Sequence, residues 1–310
     1  MKRKHLNIAA YLMLGGLIFT TSCGEEASKG EVKSHSEPKN EVSLDNGIDV
    51  NELEVSSNVN YKVPTPNELF SLIKETDLKF DASVLNDIAN LDKYNNPKSQ
   101  ALNFGTYSAD LAFISSYEIG TEALRYFKTV RQLTKSLDVS NAFDGTVFKR
   151  IEENVSKDNK DSLLVLSNET YYKAFTYLEE NGREKTLAYI VLGGWIESLY
   201  VLTQIDDFKE ESLLAEKIGD QKLTLENIMG MMMDFQDDDE VMDVLSEFAD
   251  LDEAFMSLEQ VEVGEVETTK QEDGVFSFTG GTKTIVTLDD FNQIKKHVEV
   301  IRKEIVEGNL

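Results

Sequence analysis

The stretch TLAYIVLGGWIESLYVLTQI, Thr186 to Ile205, constrains the fold more than any other segment, because its length and apolarity approach those of a membrane span. Two features argue against a span. Glu197 stands near the middle, where an acidic residue costs about 2.5–3.5 kcal/mol on insertion scales, and Gly193-Gly194 adds no apolar area. A helix apolar all round that does not cross a bilayer must be enclosed by other elements, so the segment reads as the central, buried helix of a bundle. The paired glycines would let a neighbouring helix approach closely.

The rest of the chain supplies the enclosing elements. Thr65-Pro66-Asn67-Glu68 combines an N-cap, a proline at the first helical position and a capping-box Glu, and opens a helix with Leu69, Leu72 and Ile73 on one face. Asp81 to Asn90 reads as a short second helix. Asn96-Pro97 opens PKSQALNFGTYSADLAFISSYE, and Gly120 separates it from TEALRYFKTVRQLTKSL. A turn or two of helix beyond Asp144 leads to DSLLVLSNETYYKAFTYLEENG, stopped by Asn181-Gly182. Beyond the central helix, helices are expected at Leu213 to Ile218, Leu223 to Phe235 and Asp239 to Glu259.

The period changes after Gln260. VEVGEVETTK and VFSFTGGTKTIVTL alternate with a period of two and are rich in β-branched residues, and Gln271-Glu272-Asp273-Gly274 between them supplies a turn. A final helix begins near Leu288 with Thr287 as cap and carries Phe291, Ile294, Val298, Ile301 and Ile305 on one face. The expected fold class is mainly α: a multi-helix bundle with one antiparallel β-hairpin, at about 261–288, before the C-terminal helix.

The amino terminus points to a compartment. A cationic Met1 to His5, an apolar run from Ile8 to Phe19 and the small residues Thr20-Thr21-Ser22 form a secretory signal. Cys23, the single cysteine, follows directly and has no partner for an intrachain disulfide. This pattern resembles the lipobox of bacterial lipoproteins, although Thr20 stands where that family usually has Leu. The resemblance implies lipidation of the Cys23 thiol, cleavage before it and acylation of the new amino terminus. Residues 1–22 are then the signal and residues 23–62, polar and almost free of aromatics, an acidic tether unable to bury enough surface to order itself. Residues 63–310 are the helical domain. The expected location is the bacterial outer membrane; Glu25 and Glu26 resemble a surface-export signal, with the periplasmic face as the alternative.

Charge and residue types exclude several function classes. With 31 Lys+Arg against 57 Asp+Glu the net charge is −26, which disfavours nucleic acid and anionic lipid headgroups as ligands on charge alone. The histidines are His5, His35 and His297, so an imidazole-based zinc site or a Ser-His-Asp triad would have to draw on His297 alone. No HExxH, Walker-type or dinucleotide-binding glycine motif occurs. Neither a cofactor nor a metal is expected, and Asp237-Asp238-Asp239-Glu240 reads as a helix N-terminus favoured by the macrodipole.

Two clusters remain as candidates. Six of the eight methionines lie between Met229 and Met256. On a helix Met229, Met232 and Met233 would face one way and Met231 another, which suits core packing, then a partner groove, then Cu(I). The second cluster is Asp110 and Glu197, carboxylates on apolar helices flanked by Tyr107, Phe113, Trp195 and Tyr200. Converging in a cleft, they could divide general acid and base roles as in glycosidases; buried apart, they would satisfy internal donors, and an amide at either position would lower stability.

A faint internal echo aligns Gly105 with Gly193, Tyr107 with Trp195 and Leu111 with Leu199. Together FGTYSADLAFISSYE, NAFDGTVFKRIEEN and LGGWIESLYVLT resemble uncharacterised all-helical lipoproteins of the Bacteroidetes group, a resemblance spanning about Pro97 to Ile205 that brings no activity or site residue with it. The expected function is a lipid-anchored, non-enzymatic envelope module that binds a partner protein or envelope ligand; the alternative is a carboxylate-dependent glycan hydrolase.

Overall fold

The two most buried helices, Pro97–Ser116 and Glu184–Gln204, cross in backbone contact, and other helices pack on that crossing. The structure is a computed structural model and describes residues 66–70, 79–142, 149–150, 153, 161–205, 207–264, 267–270, 276–279 and 281–310. The signal, Cys23, the tether, Thr65, Leu72, Ile73 and Asp144 fall outside these residues. The described part belongs to one unit, residues 54–310. It is mostly helical. Among the described residues are α1 (Pro66–Phe70), α2 (Pro97–Ser116), α3 (Gly120–Ser136), α4 (Asp161–Glu180), α5 (Glu184–Gln204), α6 (Leu213–Met233), α7 (Asp239–Glu247), α8 (Ala249–Met256) and α9 (Leu288–Glu307).

Helix α5 is the expected central helix. It is long and apolar enough to cross a membrane, yet 89% of that stretch is buried inside the protein. Helix α2 is its counterpart, buried from Ala101 to Ser115 without interruption. A Cβ on Gly105 would lie 2.0 Å from the Ile190 carbonyl oxygen, and one on Gly193 would lie 2.0 Å from that of Leu102. The contact is therefore reciprocal, with glycine on each helix receiving a carbonyl of the other. Leu102 and Ile190 stand at the same sequence offset as Gly105 and Gly193, so the echo between the two segments coincides with the crossing. Helices α1, α3 and α4 pack on α2, and α6 and α9 pack on α5.

Local signals mark several boundaries as expected. The Asn96 side chain accepts the Ser99 N–H at 2.8 Å, with Pro97 in the first turn of α2. Thr287 and Asp290 form a reciprocal capping box on α9, whose Phe291, Ile294, Val298, Ile301 and Ile305 are all buried. Gly182, at φ 65°, turns the chain out of α4.

Four expectations need correction. Asp81 to Asn90 is not one helix but two 3₁₀ segments, Ala82–Val84 and Ile88–Lys93, capped by Asp81 and Asp87. The intervening Asn86 gives its backbone N–H and C=O to tertiary partners, Asp110 and Tyr126, which an α-helix would have consumed. Leu213 to Phe235 is not two helices but the single α6, and its Gly219 serves close packing: a Cβ there would sit 3.0 Å from the Thr284 carbonyl oxygen of the hairpin. Asp239 to Glu259 is two helices, broken at Phe248, whose N–H bonds to Leu245 and Ser246 in a tightened last turn. Buried Val241, Val244, Phe248, Leu251, Phe255 and Leu258 keep helical spacing across the break, which hid it from periodicity. Among the methionines, Met232 is buried and Met229 and Met231 flank the core, but Met233 is exposed rather than facing the core with Met232.

The hairpin comprises β1 (Gln260–Glu262) paired antiparallel with β4 (Thr282–Thr284), and β2 (Glu267–Lys270) paired antiparallel with β3 (Phe276–Thr279). Between the two ladders Gly264 and Gly281 adopt φ 110° and 93°, values side-chain-bearing residues rarely reach. The expected turn residues 271–274 lie outside the described residues. Strand β4 packs on α6, so this end of the hairpin covers one side of the bundle.

Candidate functional site

The two carboxylates singled out from sequence meet. Asp110 on α2 and Glu197 on α5 are each 0% exposed, and they lie close enough for the Glu197 charge to act on the Asp110 carboxyl. Arg302 on α9, which the sequence analysis missed, completes the group. Its Nε and Nη2 donate to Glu197 Oε2 and Oε1, both at 2.9 Å, a bidentate pairing that fixes both partners. Nη2 also reaches the Val84 carbonyl oxygen at 3.2 Å, and the guanidinium lies 4.3 Å from the centre of the Tyr200 ring, a cation–π contact.

The two oxygens of Asp110 have unequal surroundings. Asp110 Oδ2 accepts the Asn86 N–H at 3.1 Å, whereas Oδ1 receives no donor N–H or O–H. Burial first, and then the Glu197 charge, push the Asp110 carboxyl well above its ordinary range, against the opposing pull of Arg302. The raised pKa favours the neutral form of Asp110 beside a Glu197 carboxylate that is paired with Arg302. Burial works against the charge on Arg302, but its pairing with Glu197 more than offsets this and holds its pKa above the usual value. Pairing of Arg302 with Glu197, together with the shift of Asp110 toward its neutral form, is what makes three ionisable side chains tolerable in a core.

A shell of amides and phenols surrounds it. Asn86 uses every polar group it has: its N–H to Asp110, its Nδ2 to Tyr94 Oη and Asn103 Oδ1, its Oδ1 from Asn90, and its carbonyl oxygen from Tyr126 Oη. Tyr94 Oη donates to the Val306 carbonyl oxygen and Asn103 Nδ2 to that of Ile305, so this shell also satisfies the last turn of α9. Burial raises the pKa of Tyr94 and of Tyr126, keeping both phenols as donors.

Sequence reasoning could have found Arg302. It lies four residues after Val298 and three before Ile305, on the border of the apolar face of α9, where a cation either reaches past the core or pairs within it. Asn86 carried no comparable signal, because its role depends on chain segments remote in sequence.

The arrangement bears directly on the hydrolase alternative. Glycosidase carboxyls stand about 5 Å or more apart, flanking a bond. Here neither is exposed, Asp110 Oδ2 is taken by Asn86 and both Glu197 oxygens by Arg302. They are thus together, which the sequence left open, but enclosed rather than in a cleft. Among the described residues no group of three or more His, Cys, Asp or Glu could hold a metal ion. Asp238 is the N-cap of α7, accepting the Glu240 N–H at 3.0 Å, and is paired with Lys185 at 2.7 Å, which accounts for much of the acidic run at Asp237 to Glu240. Trp195 is buried, its Nε1 donating to Gln221 Oε1 at 3.0 Å and its ring 6.1 Å from that of Phe255.

No protein-family model, curated protein or solved structure matches this chain.

Proposed function

We propose that this protein is a lipid-anchored helical module of the bacterial cell envelope, attached to the outer membrane through Cys23 and acting without catalysis by binding or scaffolding a partner protein or envelope ligand. The observation that carries the non-catalytic part is the enclosure of Asp110, Glu197 and Arg302. The acid pair best suited to chemistry is spent on joining α2, α5 and α9, so these residues work as internal fasteners. The anchor rests on the leader, the small residues before Cys23 and the polar segment after it. Acyl chains on one residue, at about 0.8 kcal/mol per buried methylene, would hold the domain at the bilayer on either face of the outer membrane.

Two measurements test this reading. Cys23→Ser should abolish metabolic fatty-acid labelling and release the protein from membrane fractions; persistent labelling overturns the anchor. Wild-type protein should leave envelope and host glycans intact. Hydrolysis lost in both Asp110→Asn and Glu197→Gln at unchanged melting temperature would establish the hydrolase instead.

A further inference from the structure

The hairpin leaves one strand edge open. Strand β1 pairs with β4 so that Gln260 stands opposite Thr284, Val261 opposite Lys283 and Glu262 opposite Thr282. The pairing runs one residue further at each end, where the Ile285 N–H donates to the Glu259 carbonyl oxygen and the Val263 N–H to that of Gly281, both at 2.8 Å. Bonded positions alternate along an antiparallel ladder, so Glu259, Val261 and Val263 turn their backbone groups toward β4, and Gln260 and Glu262 turn theirs away from it. On β4 the outward positions are Thr282 and Thr284, and that edge is closed by α6, whose Gly219 meets the Thr284 carbonyl oxygen. On β1 the outward positions Gln260 and Glu262 are both exposed, and among the described residues β4 is the element packed extensively against the strand. Neither Lys nor Pro, two usual guards of an edge, stands between Glu259 and Val263.

We infer that the outer edge of β1 takes up an extended, cationic segment of a partner protein as an added strand. The backbone selects a peptide, because the N–H and C=O groups that alternate along a strand edge are matched by another extended chain. Charge selects the sign. Glu259 and Glu262 are exposed on the strand itself, and from Leu223 to Thr269 the sequence holds 15 Asp and Glu with no Lys, Arg or His. Two cations adjoin the strand, and both are engaged. Lys222 Nζ donates to the Met256 and Leu258 carbonyl oxygens, and Lys283, opposite Val261, lies close enough to Asp220 of α6 for their charges to attract. Val261 and Val263 share one face of the strand, and Val263 is 52% exposed, so an added strand finds an apolar contact beside the charged ones. A second copy is a poor occupant, since its β1 brings the same acids and no cation. The inference rests on the partner-binding reading, to which it adds the partner's chemistry and mode of contact, and it is independent of Cys23.

The test uses the full chain in non-ionic detergent and short synthetic peptides of equal length: alternating lysine and valine, alternating glutamate and valine, and alternating lysine and proline, the last equally cationic but unable to donate along a strand. The lysine–valine peptide should bind about tenfold or more tightly than either control, and its binding should slow amide exchange at Gln260 and Glu262. Gln260→Pro removes an outward N–H and spares the ladder, a placement proline tolerates on an edge. It should weaken binding about fivefold at an unchanged melting temperature, whereas Val261→Pro, which removes a donor to β4, should lower that temperature. Glu259→Gln/Glu262→Gln should weaken binding several-fold and flatten its dependence on salt. No binding of the lysine–valine peptide overturns the inference, and so does equal affinity for the lysine–proline peptide, which would reduce the effect to attraction by the acidic surface. Amides at Gln260 and Glu262 already protected in the free chain would place another segment of this chain on the edge, and protection that grows with protein concentration a second copy; either overturns it. Tight binding that survives Gln260→Pro, with exchange at both amides unchanged, retains the partner-binding reading and overturns the edge as its site.

Discussion

Glu197 and Arg302 stand 105 residues apart and form a bidentate ion pair, with Glu197 fully buried and the Arg302 side chain 15% exposed. Removing one member leaves the other charged without compensation, whereas removing both leaves no orphan. Arg302→Met should cost about 3–5 kcal/mol in urea denaturation, and much less when introduced into Glu197→Gln. Equal costs in the two backgrounds would mean the pair is not coupled.

Asp110 and Glu197 should not respond alike to amide substitution. Asparagine mimics the neutral form that the raised pKa of Asp110 favours and can still accept from Asn86, so Asp110→Asn should stay within about 1 kcal/mol of wild type at neutral pH. Glu197→Gln discharges the partner of Arg302 and should cost several times as much.

The pH dependence follows from the direction of the Asp110 shift. Its folded pKa is raised above the unfolded value, so the native state binds the extra proton. The stability it contributes is full below the unfolded pKa near 3.8 and is lost as pH rises toward and through the raised folded value. Relative to Asp110→Asn, wild type should therefore weaken as pH increases from about 4. A difference that stays flat in denaturant midpoints from pH 4 to 9 would contradict a protonated Asp110.

Gly105 and Gly193 should tolerate no Cβ. Each would meet backbone at 2.0 Å, where no side-chain adjustment helps, so Gly105→Ala and Gly193→Ala should each cost about 3 kcal/mol or more. Both enforce the same separation of α2 and α5, so the double variant should cost clearly less than the sum. Strict additivity would show that the two contacts are independent.

Trp195→Ala should cost about 3–5 kcal/mol and leave Gln221 without its donor. A loss below about 1 kcal/mol in denaturant melts would place the indole outside the core.

Signals that act within a few residues were legible in the sequence. Asn96 and Thr287 cap helices through contacts three residues away, Gly182 ends one by its backbone conformation, and the alternation after Gln260 gives the hairpin. The apolar run around Trp195, carrying Glu197, identified the central helix, because a buried helix must be apolar on all sides. These features need only local geometry or a period, and both are written along the chain.

Only the tertiary structure decided the rest. Asn86 leaves the helical pattern because Asp110 and Tyr126 take its backbone groups. Gly219 stays inside α6 because Thr284 presses on it, and Phe248 breaks a helix whose apolar spacing continues unchanged. The closeness of Asp110 to Glu197, and the pairing of Glu197 with Arg302, depend on where three helices cross. A buried carboxyl looks the same in sequence whether its partner is a substrate, a donor or another acid; its protonation is set by the dielectric and the charges that folding assembles around it.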